Sequence, residues 1–310
     1  MAGKTATHSP ESIADRHSEL HVFRGHQPSP TGFIMGHEFT GEVVELGDGV
    51  KKFQKGDKIV SPFTISCGEC FYCKKGFSSR CEKCQLYGTA GLDGGQAEYA
   101  RIPLADSTVV KAPANIDEKK LVLMADIFPT GYFAAYNAFK GQEHAEVWDQ
   151  TVVVIGCGPV AMCALVNALD YNPKHLLAVD SIPERLNQAK TLGAEPWNFK
   201  DNKDGLVKRV KELTDGRGAD VVIECVGHSD ALELGFELLR PFGRISSIGV
   251  HNGEIPWSGN QAYGKNLTVQ MGRCPVRSLF EKALQQLVKN QDKLEYGAPE
   301  FKNLKEKFLR

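Results

Sequence analysis

The stretch from Thr151 to Asp180, TVVVIGCGPVAMCALVNALDYNPKHLLAVD, restricts the fold of this chain more than any other. It opens on a β-branched apolar run, passes a glycine turn, continues with helical composition, and returns as a second apolar run ending on a carboxylate. Strand, turn, helix and strand in that order make a βαβ unit of a parallel sheet buried on both faces. Gly156 permits a tight strand-to-helix turn, Gly158 lets the backbone approach a pyrophosphate, and Ala161 keeps the helix close to the strand. The phosphates of a dinucleotide then sit on unpaired helix N–H groups. Asp180, 24 residues after Gly156, falls where a carboxylate accepts hydrogen bonds from both ribose hydroxyls and repels a 2′-phosphate. The unit reads as a site for NAD in preference to NADP. An ordinary βαβ unit without a ligand is the competing reading, and the full order of strand, turn, helix, strand and acid favours the cofactor.

A chain of 310 residues, 42% of them hydrophobic, can bury a sizeable core and suggests about two domains. With 37 basic and 38 acidic side chains and a net charge of −1, it has no bulk attraction for nucleic acid or an anionic membrane. The 15-residue apolar run from Val152 to Val166 is too short to cross a bilayer. The opening residues, MAGKTATHSPESIADR, lack an apolar signal core and carry acids that a transit peptide avoids, so a cytoplasmic location is expected. Residues 1–15 are polar, without periodicity, and are expected to be disordered.

Five of the nine cysteines lie between Cys67 and Cys84. Clustered thiols in an intracellular enzyme read as metal ligands before disulfides. In CGECFYCKKGFSSRC, two-residue spacers let Cys67, Cys70 and Cys73 turn toward one ion, and a longer excursion brings Cys81 to close a tetrahedron. Four thiolates leave no open position, so this Zn2+ would be structural, with Cys84 left as a plain thiol. A nucleic-acid zinc finger is disfavoured, because no recognition helix with paired histidines follows.

Glycine-punctuated alternation predicts antiparallel strands from Thr40 to Val60. Just before them, His37 and Glu38 put a possible metal ligand beside a carboxylate, although a lone His is more often structural. Asp117 to Ala138 reads as helix, broken by Pro129-Thr130-Gly131 at an expected hinge between domains. Asp126 sits among Leu121, Val122, Leu123, Met124, Ile127 and Phe128, and an acid in such company should have a partner or cap a helix. After the cofactor turn, strands and helices alternate. The expected elements are a helix at Ile182 to Leu192, a strand at Asp220 to Val226, a helix at Asp230 to Leu239 and a strand at Arg244 to Val250. A strand at Leu267 to Met271 and a helix at Val276 to Val288 follow. Val226-Gly227 and Ile248-Gly249 fall at carboxyl ends of strands, either leaving room for a cofactor or serving as plain turns. The last residues, KNLKEKFLR, are expected to form an exposed helix.

These residues resemble the zinc-containing medium-chain alcohol dehydrogenase family. Gly36-His37-Glu38, Gly41, Gly47 and Val50 match its zinc signature, and the cysteine lobe and nucleotide turn follow in family order, over about Ser18 to Asp292. MADIFPTGY around Asp126, VDSIPERL and GRCPVRSLF look closest to the branch with glutathione-independent formaldehyde dehydrogenase and polyol or threonine dehydrogenases. The resemblance implies a Rossmann doubly wound parallel sheet plus an incomplete, mainly β GroES-like catalytic domain. The expected bounds are 16–128 for the catalytic domain, 129–274 for the NAD-binding domain, and 275–310 for the start of a return to the catalytic domain. It implies Zn2+ and NAD as cofactors, a small alcohol or aldehyde as substrate, and a homo-dimer or homo-tetramer. It makes His37 and Asp126 ligands of a catalytic zinc, Glu38 a nearby exchangeable one, and Thr130, Val160 and Arg185 cofactor contacts beside Gly156, Gly158, Asp180 and the strand-end Val226.

Two departures follow from the same resemblance. Where the family has Cys-Gly-Ser-Asp-x-His, this chain has Arg16-His17-Ser18-Glu19-Leu20-His21. A cation replaces the first zinc ligand, while Ser18 and His21 keep the positions of the proton relay. Glu38 or His17 must substitute if three ligands are to remain. The chain also reads as shortened at both ends. The expected function is therefore NAD-linked oxidation of a small alcohol or aldehyde hydrate, and the alternative is a crippled paralogue keeping the cofactor fold and structural zinc.

Overall fold

The computed structural model describes residues 6–8, 19, 22, 25, 28–114, 116–142 and 147–297. The chain forms two compact units, one of Met1–Pro129 with Pro275–Lys289 and one of Thr130–Cys274 with Asn290–Arg310.

The first unit holds a five-stranded antiparallel sheet of β1 (Ala6–His8), β2 (Phe39–Glu45), β3 (Lys58–Ser61), β4 (Ala100–Arg101) and β5 (Val110–Lys111), in the order β4-β1-β2-β3-β5. Residues 6–8 therefore correct the expectation of a disordered start. Three residues are too short to display alternation, and their order comes from backbone pairing with β2 on one side and β4 on the other. The core beneath the sheet gathers Phe39, Val43, Ile59, Ile65, Tyr87 and Ile102, with the Phe39 and Tyr87 rings edge to face at 5.0 Å. The helix Val276–Asn290 joins this unit through reciprocal bonds. The Ser78 amide donates to Ser278 Oγ at 3.3 Å, and the Ser278 amide donates to Ser78 Oγ at 3.2 Å.

The second unit is a six-stranded, wholly parallel sheet. Its strands are β6 (Thr151–Ile155), β7 (His175–Asp180), β8 (Glu195–Asn198), β9 (Ala219–Glu224), β10 (Leu239–Ser247) and β11 (Thr268–Met271), in the order β11-β10-β9-β6-β7-β8. The order reverses between β6 and β9, which opens a crevice at the carboxyl ends of the strands. Val152 and Val154 pack on one face with Ala161, Leu165 and Ile223, while Val153 and Ile155 pack on the other with Val179, Leu206 and Leu232. Each such buried aliphatic side chain is worth roughly 1.5–3 kcal/mol, which explains why β6 shows a continuous apolar run.

Strand β10 spans Leu239–Ser247 and not Arg244 to Val250, and two further boundaries differ from expectation for physical reasons. The helix break falls at Asp126 (φ −150°, ψ −66°), between a 3-10 turn at Val122–Ala125 and the helix Ile127–Phe139, and not at Pro129-Thr130-Gly131. Proline in a first helical turn gives up an N–H that has no partner there anyway. Gly131 serves close helix packing, since a Cβ on it would lie 2.6 Å from the Ala164 amide nitrogen. Strand β9 ends at Glu224 and not Val226, because the Glu224 carboxylate captures the amides of Val226 and Gly227 at 2.6 and 2.7 Å. Residues KNLKEKFLR lie outside the described residues.

Candidate metal centres and nucleotide turn

Gly36-His37-Glu38 enters β2 through a backbone clamp. The amides of Gly94, Gly95 and Gln96 donate to the carbonyls of Ile34, Gly36 and Met35 at 2.7–2.9 Å. Gly36 is left-handed (φ +94°), and a Cβ on Gly94 would lie 2.0 Å from the Gly36 carbonyl oxygen, so only glycine lets the two segments meet. The clamp buries His37 and Glu38. From the other side, the Phe63 amide donates to the Ala125 carbonyl at 3.0 Å, which carries Asp126 to the same place.

The result is a convergence of His37, Glu38 and Asp126, whose ligand atoms lie within 4.8 Å of one another. His37 Nε2 stands 3.4 Å from Asp126 Oδ2. Two ligands held about 2.0–2.1 Å from one tetrahedral zinc stand roughly 3.4 Å apart, so the pair has the spacing of two donors to one ion. On the opposite side of the ring, His37 Nδ1 is 3.6 Å from Glu19 Oε1. A carboxylate behind a ligating imidazole orients the ring and raises its basicity. Sequence reasoning passed over Glu19. Its only signal was a carboxylate in the segment Arg16 to His21, and nothing local pairs it with His37. Arg16, His17, Ser18 and His21 lie outside the described residues.

The second cluster is the cysteine lobe. Cys67, Cys70, Cys73 and Cys81 also bring their sulfurs within 4.8 Å of one another, folded around a short helix at Phe71–Lys74. Amides point at these sulfurs. Cys81 Sγ accepts from the amides of Cys67 at 3.2 Å and Lys83 at 3.3 Å, and Cys67 Sγ accepts from the Cys70 amide at 3.4 Å. Backbone donation from Cys73 and then Glu82 pulls the Cys70 thiol down to about 6, whereas burial pushes Cys73 up to about 12 and raises Cys81. Burial likewise leads the upward shift of Cys81. Amide donors aimed at half-buried sulfurs suit thiolates, and a divalent cation among them offsets the burial that opposes their charge. The donor set fits zinc, and no disulfide links the described cysteines.

In the second unit, Gly156 (φ +90°) donates its amide to the Val179 carbonyl at 2.8 Å. A Cβ on it would meet Val226 Cγ2 at 2.9 Å, so the structure brings these two predicted residues together. Gly158 caps the helix Pro159–Leu169 with no side chain bonded to its first amides. That leaves the N-terminal N–H groups, with Val160 in the first turn, for an anion. Asp180 ends β7 beside this turn. Its Oδ2 accepts from the Cys157 amide at 2.7 Å, and its Oδ1 accepts from the amides of Ser181 and Ile182 at 2.6 and 3.0 Å. A carboxylate has about four lone-pair sites, so capacity remains for a hydroxyl. Arg185 Nη1 lies 4.0 Å from Asp180 Oδ2, and Thr130 lies in the first turn of the helix Ile127–Phe139. The turn and its acid fit a dinucleotide.

Comparison with known proteins agrees with this architecture. A model of the alcohol dehydrogenase GroES-like domain matches residues 11–114, and a model of zinc-binding dehydrogenases matches residues 159–289. Zinc-type alcohol dehydrogenase B of Aspergillus flavus is 69% identical over 91% of this chain, which spans 66% of that relative's length. Alcohol dehydrogenase TADH from Thermus sp. ATN1 superposes with a TM-score of 0.84 at 33% identity, covering 92% of this chain and 81% of its own. A short chain alcohol dehydrogenase of Escherichia coli CFT073 complexed with NADH gives a TM-score of 0.74 at 25% identity, over 94% of this chain and 82% of its own. The chain belongs to the zinc-containing medium-chain alcohol dehydrogenase family, a family of zinc-dependent oxidoreductases. No helix among the described residues is long and apolar enough to cross a membrane.

Proposed function

We propose that this chain is a zinc- and NAD-dependent oxidoreductase that moves a hydride between the nicotinamide and a small alcohol or aldehyde hydrate. The observation that carries the proposal is the 3.4 Å approach of His37 Nε2 to Asp126 Oδ2 with Glu38 beside them. Three protein donors with one position left open are the usual catalytic arrangement for zinc. In this reading Glu38 takes the place of the thiolate that Arg16 has removed, and Glu19 holds the His37 ring so that Nε2 faces the ion. A zinc ion there supplies Lewis-acid polarisation, which makes an alcohol easier to deprotonate at neutral pH. Ser18 and His21 would carry the proton away, Asp180 would bind the adenosine ribose, and the start of the helix Pro159–Leu169 would hold the pyrophosphate. Cys67, Cys70, Cys73 and Cys81 would hold a second, structural zinc, and the active form would be a homo-dimer or homo-tetramer.

Arg16 favours one other reading, a paralogue that keeps NAD and the structural zinc without turnover. Metal analysis of the purified chain, together with NADH formation on a panel of small alcohols, separates the two. Two zincs per chain and measurable NADH support the enzyme. One zinc, in the cysteine lobe, with no NADH above background supports the inactive paralogue.

A further inference from the structure

Glu224 is wholly buried at the carboxyl end of β9, and its carboxylate bonds the loop that follows β9, the last residue of β10 and the loop that follows β10. Oε1 accepts from the amides of Val226 and Gly227 at 2.6 and 2.7 Å. Oε2 accepts from Ser247 Oγ at 2.7 Å and meets His251 Nε2 at 2.9 Å, while Nε2 is also 3.0 Å from Ser247 Oγ. With the Ser247 hydroxyl donating to the carboxylate, the ring proton belongs on Nε2, shared between Glu224 and Ser247. The imidazole is nearly as buried as the acid, with 8% of its side chain exposed.

Outside this cluster the two loops touch backbone to backbone. A Cβ on Gly227 would lie 2.7 Å from the Val250 amide nitrogen, and one on Gly249 would lie 2.2 Å from the Gly227 nitrogen. Yet Val226 and Val250 are exposed, at 49% and 75%. An apolar side chain could fill the space of Glu224 at less cost, since a buried carboxylate is tolerated only when its charge is met by donors. What the carboxylate adds is a fixed spacing between the two loops.

We propose that Glu224 and His251 are positioning residues that hold Val226 and Val250 as an apolar shelf for the nicotinamide half of the dinucleotide. This rests on the reading that the second unit binds NAD. In a sheet of this strand order the two mononucleotide halves lie on either side of the switch point. Asp180, at the end of β7, marks the adenosine half. The shelf stands on β9 and β10, across the reversal, so damage to it should spare adenylate binding.

The test compares NADH, titrated by its fluorescence, with ADP, titrated by calorimetry, on the full chain. His251→Leu is expected to weaken NADH about tenfold, the equivalent of about 1.4 kcal/mol, and to leave ADP within twofold. His251→Gln, which offers an amide N–H near the Nε2 position, should recover most of the NADH affinity. If NADH and ADP fall together with the melting temperature, or neither changes, the positioning role is wrong. Should His251→Leu fail to fold, Ser247→Ala removes one donor without a large cavity and should still weaken NADH about threefold relative to ADP, and equal affinities overturn the proposal. If the unmutated chain binds neither nucleotide, the dinucleotide reading itself fails and takes this inference with it.

Discussion

His37 Nε2 lies 3.4 Å from Asp126 Oδ2, although the cysteine lobe and four strands separate them in sequence. Their meeting depends on two backbone devices, the glycine clamp at residues 94–96 and the Phe63 to Ala125 hydrogen bond.

Asp126→Asn keeps the shape of the side chain and removes its charge. Loss of even outer partners costs about 10–100-fold in metal affinity, so losing this donor should cost at least about 100-fold at the mixed site. Chelator competition followed by metal analysis checks this. One zinc per chain should resist the chelator in both proteins, and a second zinc should reload only the unmutated one. Unaltered reloading of Asp126→Asn would remove Asp126 from the ligand set.

Cys73→Ser tests the other centre. Binding energy at a structural site is folding energy, so the variant should lose one zinc and melt about 5 °C or more below the parent. Metal content and calorimetric melting provide the measurement, and an unchanged melting point with full zinc would contradict the assignment.

Asp180→Asn keeps one acceptor oxygen, enough for the Ser181 and Ile182 amides or for the Cys157 amide but not for both sides, and removes the charge that repels a 2′-phosphate. The parent should bind NAD more tightly than NADP, and the variant should narrow that gap about tenfold or more, an estimate of roughly one unit charge at partial burial. NADP bound as tightly as NAD by the parent would defeat the assignment.

Glu224 also makes a prediction about acid stability. Burial opposes its ionisation, but donation from His251, Ser247 and the Gly227 amide outweighs it, so the carboxyl is held below its ordinary value of 4.5. A folded value below the unfolded one means that the stabilisation is complete above pH 4.5 and is lost as pH falls through the depressed value. Melting curves of the parent and Glu224→Gln should therefore be furthest apart near neutrality and draw together progressively as pH falls below 4.5. A constant gap would show that the carboxylate's charge plays no part.

What could be read before folding was local in sequence. Thr151 to Asp180 announces strand, turn, helix and acid because each piece follows the last, and the spacing of Cys67, Cys70, Cys73 and Cys81 is itself the geometry of a zinc lobe. Strand β8 was missed because EPWN carries a proline and no alternation, and an edge strand tolerates both by pairing only with β7. The helix Lys203–Leu213 was also missed, although Asn202 accepts from the Gly205 amide as its cap and Leu206 and Val210 share its buried face. The pairing of Glu224 with His251 had one usable signal. Glu224 is an acid at the end of an apolar strand, and the rule that asked for a partner to Asp126 asks for one here too. The identity of that partner depends on how β9 and β10 align, which periodicity does not reveal.

The reciprocal Ser78 and Ser278 bonds have a consequence for the order of synthesis. Because residues 275–289 belong to the first unit, its early segments leave the ribosome long before the helix that joins them. Domains tend to fold as units while the chain is still emerging, and here the parallel-sheet core is translated in between. The β-rich unit must therefore wait, its cysteine lobe partly assembled, and a nascent chain stalled before Pro275 should hold a folded parallel sheet beside an unfinished zinc-binding unit.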